Sequence, residues 1–381
     1  MNNLGFTNET ERLDAFPVCK NSVFLAHAGV TALPAAVARA MADYAWESAT
    51  QQQEFAAALR MAAETRSLAA KMIGARSEEI ALLGPTSLGL SMVALGLDWR
   101  AGDEIICHKE DYPANVYPWM DLARKQVKVK FVETAGPGEI TPEAVEAAMT
   151  PRTRLVALAS CHFLTGRRLD VDGVGRVAHK HGALFCLDAI QTVGAFPTLV
   201  DHVDFLSADA HKWMLGPMAI GMVFVKKSRF DQLHPALLGA ANVRSPNYIV
   251  QDAVEFPEHA SRYEPGVLNM SGVAGMKAAL ELLHQVSIET VSKIILHLKS
   301  VLVAGLRERD YKILGPAEGP WASGITTFHR PGVDMQATWD RLQAGGIAAS
   351  IRHDRSGTSF IRLSPHFYNT EAEMERVLAL L

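Results

Sequence analysis

In the run VDFLSADAHKWMLGP (residues 203–217), Val203 to Leu206 has the apolar composition of a strand. Small and polar residues follow and present one lysine, Lys212, between His211 and Trp213. A lysine just past a strand end in an α/β chain stands at the sheet edge where ligands bind, although residue type alone favours a surface loop. Upstream, ALFCLDAIQTVGA (183–195) delivers Asp188 at the end of a second apolar strand, with Gln191 three residues on. The interval from Asp188 to Lys212 accommodates a strand, a turn and a return to the same edge. An amine beside a carboxylate at strand ends is what a pyridoxal phosphate site needs. The lysine forms a Schiff base with the cofactor, and the carboxylate keeps the pyridine nitrogen protonated so that the ring accepts electrons. Neither residue is specific alone; the ordered pair carries the reading.

The elements that would position this pair are legible along the chain. Strand-like runs begin near residues 79, 104, 127, 154, 183, 203 and 220, with helical patterns between the earlier ones. That alternation predicts an α/β fold with a mostly parallel seven-stranded sheet covered on both faces. The last two runs lack a helical crossover and predict an antiparallel pair. The sequence 287–309 carries Ile288, Val291, Ile295, Leu298 and Leu302 at helical spacing. It would lead into a smaller α+β unit: strand ITTFHR, helix MQATWDRLQAGG, strands IAASIRH and SFIRLSP, and a closing helix opened by the capping box Thr370-x-x-Glu373. The expected division is an irregular N-terminal arm (1–20) packing with the small domain, a large cofactor-binding domain (21–282) and the small domain (283–381).

The 381 residues are 49% hydrophobic and 20% charged, as in a globular protein, and their formal net charge of −4 argues against nucleic acid as a partner. The four cysteines are scattered with no C-x-x-C pair, so no metal is expected. The N-terminus lacks the apolar core of a signal peptide and no apolar run spans a bilayer, so no membrane association and a cytoplasmic location are expected. Gly173-x-Gly175-x-x-Ala178 superficially matches a dinucleotide fingerprint, but no convincing strand precedes it, and it reads as the start of an ordinary helix.

Asp188-x-x-Gln191 followed by SADAHKWMLGP resembles the class V aminotransferase family of fold-type I pyridoxal phosphate enzymes. That family includes cysteine desulfurases, selenocysteine lyases, kynureninases, isopenicillin-N-epimerase-like proteins and C–S lyases. The resemblance runs from about Val23 to the C-terminus. It implies Lys212 as Schiff base and proton carrier, Asp188 at the pyridinium and Gln191 at the ring hydroxyl O3′. It implies that Thr86 and Ser87, N-cap types at a helix start that would offer an anion site, hold the phosphate with His211. Tyr112 would stack on the ring. Ala28 and Gly29 would contact substrate through backbone, although a plain connecting turn reads equally well there. Arg362 would clamp the α-carboxylate, a task suited to a planar guanidinium. Asn269 would reach the phosphate of a neighbouring subunit, because relatives build the site across a homodimer. Two positions depart from the pattern. Phe163 stands where desulfurase-like relatives have an asparagine, which makes the pocket floor more apolar. Asp209 stands where some have a hydroxyl residue; an anion there would repel phosphate, or would orient His211 instead.

Persulfide-forming desulfurases need a thiolate on the loop before the arginine strand, and SIRHDRSGTSF (350–360) has none. The expected activity is therefore that of a pyridoxal phosphate enzyme acting at Cα of an amino acid, first of all an aminotransferase. A C–S lyase or an amino-acid epimerase or racemase is the alternative. A non-catalytic ligand sensor of the same fold would be marked by loss of Lys212, Asp188 or Arg362, and all three are present.

Overall fold

A computed structural model describes residues 6 and 8–381. The chain enters through α1 (Glu9–Ala15), a short 3₁₀ turn and β1 (Val23–Phe24), then forms two long helices, α2 (Ala35–Thr50) and α3 (Phe55–Ile73). The central sheet follows as β2 (Ile80–Leu82), α4 (Thr86–Gly96), β3 (Glu104–Cys107), α5 (Tyr117–Asp121) and β4 (Lys128–Phe131). It continues with α6 (Pro142–Ala148), β5 (Thr153–Ala159), α7 (Val171–Lys180), β6 (Leu184–Asp188), β7 (Phe205–Asp209) and β8 (Gly221–Val225). Its strand order is β2-β8-β7-β6-β5-β3-β4. All pairs are parallel except the two made by β8, so the close pair β7–β8 is antiparallel as its short connection dictates. The carboxyl ends of β3, β5, β6 and β7 therefore share one edge, which is where an open α/β sheet binds ligands.

Both faces of the sheet are covered, and the alternation within strands shows it. Val156 and Leu158 of β5 and Phe185 and Leu187 of β6 pack into one core, while Leu155, Ala157, Leu184 and Cys186 pack into the other. Helix α4 lies directly on the sheet. A Cβ at Gly89 would overlap Ser207 Oγ and Val223, so only glycine permits this approach, and it brings the N-terminus of α4 to the end of β7. The glycine motif 173–178 lies wholly inside α7 rather than in a strand-to-helix turn, which removes the dinucleotide reading.

Helices α8 (Met270–Val286) and α9 (Ile288–Glu308) lead to the C-terminal part: β9 (Lys312–Leu314), β10 (Thr326–His329), α10 (Met335–Ala344), β11 (Ile347–Ala348), β12 (Ser350–His353), β13 (Ser359–Leu363) and α11 (Glu371–Ala379). A four-stranded sheet runs β12-β13-β10-β9. Helix α9 joins the two regions through its own side chains. Ile288, Val291 and Ile295 pack into the central core, and Leu298, Leu302 and Leu306 into the C-terminal one. Thr370 and Glu373 form the reciprocal cap of α11.

Two local expectations are corrected. Residues 9–15 are not irregular but helical. Asn8 caps α1, and the buried Arg12 ties it to Glu9 at 2.6 Å and to Glu373 at 3.1 Å, while Phe16 stacks on Tyr368 at 3.8 Å. The expected strand 347–353 breaks at Ala349 into two strands of different sheets, since β11 pairs with β1 and β12 with β13. Strand β9 carries no signal of its own and is held by β10. Among the described residues, no helix is long and apolar enough to cross a membrane, and no cluster of three metal-ligating side chains occurs.

Candidate active site

Asp188 ends β6, opposite Ser207 of β7, and Lys212 lies three residues beyond β7 in a turn. Both are nearly sealed from solvent, at 3% and 8% exposure. Burial raises the Asp188 carboxyl to about 6, against the Ile190 amide at 3.2 Å and the Lys212 charge, both of which favour its ionised form. Burial likewise lowers the Lys212 amine to about 8. The charge of Asp188 opposes that shift, and Arg362 and Arg352 reinforce it. A lysine with so low a value is a competent nucleophile and base near neutral pH. The Tyr112 ring centroid lies 5.4 Å from Lys212 Nζ, with Tyr112 itself half-exposed.

Gln191 holds the lysine turn in place. Its Oε1 accepts from Trp213 Nε1 at 2.8 Å and its Nε2 donates to the Ala28 carbonyl at 3.1 Å, leaving one amide hydrogen for another acceptor. His366 accepts from the Phe367 amide at Nδ1, so its Nε2 donates to Trp213 O at 3.0 Å, and the turn is fastened from two sides.

At the phosphate side the expected capping is corrected. The N-cap of α4 is Pro85, with Thr86 and Ser87 as the first two helical residues. Their amides occupy the positions a helix leaves without internal partners. The Thr86 hydroxyl does not cap; it accepts from the Asp209 amide at 2.9 Å, while Ser207 Oγ donates to Thr86 O at 3.1 Å. Ser87 is exposed at the helix start. Asp209 is buried beside His211: Oδ1 accepts from the His211 amide at 3.3 Å and lies 2.8 Å from Nδ1. That last approach is close but poorly aligned for a hydrogen bond, and both Asp209 Oδ2 and His211 Nδ1 are buried without a hydrogen-bond partner.

Arg362 lies across the edge on β13, 2% exposed. Its Nη1 donates to Phe163 O at 2.6 Å, and its Nε is buried without a partner. Burial and the Arg352 charge lower it to about 9. Phe163 thus serves through its carbonyl as well as its ring, which meets Tyr112 edge-on at 5.5 Å. A Cβ built on Gly29 would lie 3.7 Å from a terminal nitrogen of both Arg362 and Arg352. Ala28 is fixed by the Ser364 hydroxyl on its amide and by Gln191 on its carbonyl. Asn269 has a different task in the protomer: it is the N-cap of α8, its Oδ1 accepting from Gly272 N at 3.1 Å.

Two residues escape the sequence reading. Arg352 becomes visible only through register. Ser350 pairs with Arg362 and Arg352 with Phe360, which places both arginines on one face of the β12–β13 ribbon as diagonal neighbours. Asp111 is buried behind Tyr112, accepting from Tyr112 N, Asn115 Nδ2 and Ala159 N. Burial and the nearby Asp188 raise its carboxyl to about 7. His162 is a fixed loop histidine: it accepts from Thr165 N at Nδ1, so Nε2 donates to Glu110 O, and burial lowers it to about 4.

These groups suit pyridoxal phosphate. A buried amine and a buried carboxylate stand at adjacent strand ends, helix-terminal amides lie next to them, and the guanidinium of Arg362 retains an unsatisfied donor. Residues 23–377 match the family model described as aminotransferase class-V. A probable cysteine desulfurase of Methanothermobacter thermautotrophicus is 28% identical over 384 residues, covering 94% of each chain. An uncharacterized aminotransferase of Bacillus subtilis is 26% identical over 381 residues, covering 95% of this chain and 94% of the other. The apo cysteine desulfurase of Thermococcus onnurineus superposes with a TM-score of 0.91 at 24% identity, covering 98% of this chain and 97% of that one. A cystine C–S lyase in complex with cysteine persulfide superposes at 0.86 and 22% identity, covering 96% and 98%. The chain belongs to the aminotransferase class-V family of fold-type I, pyridoxal phosphate-dependent enzymes.

Proposed function

We propose that the protein acts at Cα of an α-amino acid held by its carboxylate on Arg362, and that the reaction finishes on the cofactor without an enzyme thiol. Pyridoxal phosphate, when bound, supplies the electron sink for the pair left at Cα. Lys212 takes the Cα proton, its amine lowered to about 8 by burial and so partly unprotonated near neutral pH. Asp188 would hold positive charge at the ring nitrogen, and the remaining Gln191 amide hydrogen would donate to the ring hydroxyl. Thr86, Ser87 and His211 would hold the phosphate, with Asp209 orienting His211. Tyr112 would cover the ring, and Gly29 and Ala28 would leave room for substrate backbone. The observation that carries the reading is the unpartnered, buried Nε of Arg362 in the same cluster as Lys212 and Asp188.

Transamination asks of the protein only that Lys212 carry one proton, and it is the activity adopted. C–S cleavage is the second reading, favoured by the curated relatives named probable cysteine desulfurases at 24–29% identity. A persulfide on the enzyme fits less well. Cys107, Cys161 and Cys186 are buried, Cys19 lies beside Arg12, and burial raises every one of these thiols. The test is a panel of L-amino acids, including cysteine and cystine, added to the cofactor-loaded protein. A keto acid with conversion of the cofactor to its amine form supports transamination. Pyruvate with released sulfur supports lyase chemistry, and no spectral change with any amino acid refutes the proposal.

We also place a second copy of the chain on the groove of about 950 Å³ between α2, α3 and residues 240–270, where Phe55, Leu59, Tyr248 and Val267 are exposed. Asn269 sits within this segment, where it can serve the partner's site. Light scattering that finds a monomer at micromolar concentration would overturn the dimer.

A further inference from the structure

Arg352 is a half-buried guanidinium with a single hydrogen bond, from Nη1 to the carbonyl of its own neighbour Ile351. Among the described residues, neither it nor Arg362 forms an ion pair with a carboxylate. Both point a terminal nitrogen to the same spot above Gly29, at 3.7 Å each, so the two nitrogens are separated by no more than twice that distance. Lys212 feels both charges. Asp354, the nearest acid along the strand, is occupied by its own turn, accepting from Ser356 N and Thr358 N. Two unpaired cations held side by side repel each other, and the fold supplies no acidic side chain to offset them.

One carboxylate on Arg362 satisfies one of these cations and leaves the other facing it. We infer that Arg352 is a specificity-determining residue that receives a second acidic group, so that the substrate is a dianionic amino acid: an α-amino acid whose side chain ends in a carboxylate or a similar oxyanion. The inference rests on the reading of Arg362 as the α-carboxylate holder. The geometry suits the class. An aspartate- or glutamate-sized substrate has its two acid groups a few bonds apart, comparable to the spacing of two guanidinium nitrogens that converge on one point. Gly29 keeps the approach open, since a side chain there would enter the space between the arginines. Arg352 is also the more accessible of the two, which suits recognition of the outer end of a substrate whose inner end lies on the buried Arg362.

The experiment compares substrate-sized acids that cannot react. Binding of glutarate and of butyrate to the cofactor-loaded protein is measured by calorimetry, for the natural protein and for Arg352→Gln, with Arg352→Lys as the charge-retaining control. A charge-assisted bond contributes enough for about 10- to 100-fold in affinity. Glutarate is expected to bind at least 10-fold tighter than butyrate, Arg352→Gln to erase most of that ratio, and Arg352→Lys to restore part of it. An equal affinity for the two acids, or a ratio unchanged in Arg352→Gln, overturns the inference. Turnover then separates the two levels. Reaction with neutral amino acids but no dicarboxylate preference removes the dianionic substrate and leaves the proposed activity standing. A dicarboxylate preference without turnover of any amino acid supports the recognition by Arg352 and removes the catalytic reading.

Discussion

Arg362 should be a residue that weakens the fold in order to bind. Its guanidinium is 2% exposed, has one hydrogen bond to Phe163 O and no carboxylate partner, and faces Arg352. Burial and the Arg352 charge lower it to about 9, a penalty of ~5 kcal/mol on the charged form. Because the folded value lies below the unfolded one, the penalty is fully present at pH 7 and is relieved only as pH rises through 9. Arg362→Met removes the charge while keeping an unbranched apolar stem. It also strands the Phe163 carbonyl, which costs about 1–3 kcal/mol. The balance is a stabilisation on the order of 2–4 kcal/mol, read as a rise of several degrees in melting temperature. The same substitution removes the charge-assisted bonds to a carboxylate, so glutarate affinity should fall by about 100-fold. Differential scanning calorimetry and binding on one preparation test both signs. A variant that melts lower than the natural protein, or that binds glutarate unchanged, refutes the assignment of Arg362 as an unpaired, preorganised anion holder.

Lys212→Ala should still take up pyridoxal phosphate through the helix-terminal amides but lose the covalent link. Borohydride reduction followed by peptide mapping should mark Lys212 in the natural protein, and a mark on any other lysine would displace the assignment. In cofactor-free protein, folded Lys212 releases its proton near 8 and the unfolded chain only near 10.5. The unfolded state therefore holds more protons across that window, and stability should rise with pH by ~3 kcal/mol relative to Lys212→Met. Urea midpoints that keep the two proteins parallel from pH 7 to 10 would contradict it. Gln191→Leu strands the Trp213 indole N–H and the Ala28 carbonyl, both buried, and should cost about 2–4 kcal/mol in urea unfolding. An unchanged midpoint would mean that the Trp213 contact does not hold the lysine turn.

The central sheet was legible because its signal is local. Runs such as Leu184–Asp188 and Phe205–Asp209 are short, mostly apolar, buried on both faces and bounded by turns, which a strand buried between two helix layers requires. Asp188 and Lys212 could be read for the same reason, since each sits where such a run ends. What failed was set by distant partners. Ala349 divides 347–353 because Val23 and Phe24 claim its first half and Ser359–Leu363 its second. Arg352 is one of three charged residues in SIRHDRSGTSF, and only pairing with Phe360 turns it to the face of Arg362. The N-cap position falls on Pro85 rather than Thr86, and α4, whose approach to β7 is permitted at Gly89, turns the Thr86 hydroxyl to the Asp209 amide. The helix 9–15 depends on a buried arginine whose second partner, Glu373, lies at the opposite end of the chain.

Family and reaction are decided by different residues here. The fold is shared across the family, and a scaffold carries many chemistries. A desulfurase that passes sulfur to its own thiol needs a cysteine that is exposed, mobile and acidified. In this chain the loop before β13 offers His353, Asp354, Arg355 and Ser356 instead, and the thiols elsewhere are pushed up by burial. Strand β12, which leads into that loop, contributes Arg352, the second cation of the cluster. The absence of a thiol from that loop and the presence of the two arginines support a proposed division of labour in which the β12–β13 ribbon would read the substrate rather than accept an atom from it. Placing a cysteine at Ser356 tests that division of labour. If the ribbon only recognises, Ser356→Cys should gain no persulfide with L-cysteine and should keep its preference between dicarboxylate and monocarboxylate; a persulfide trapped at that position would show that the scaffold had retained the sulfur-transfer geometry and lacked only the thiol.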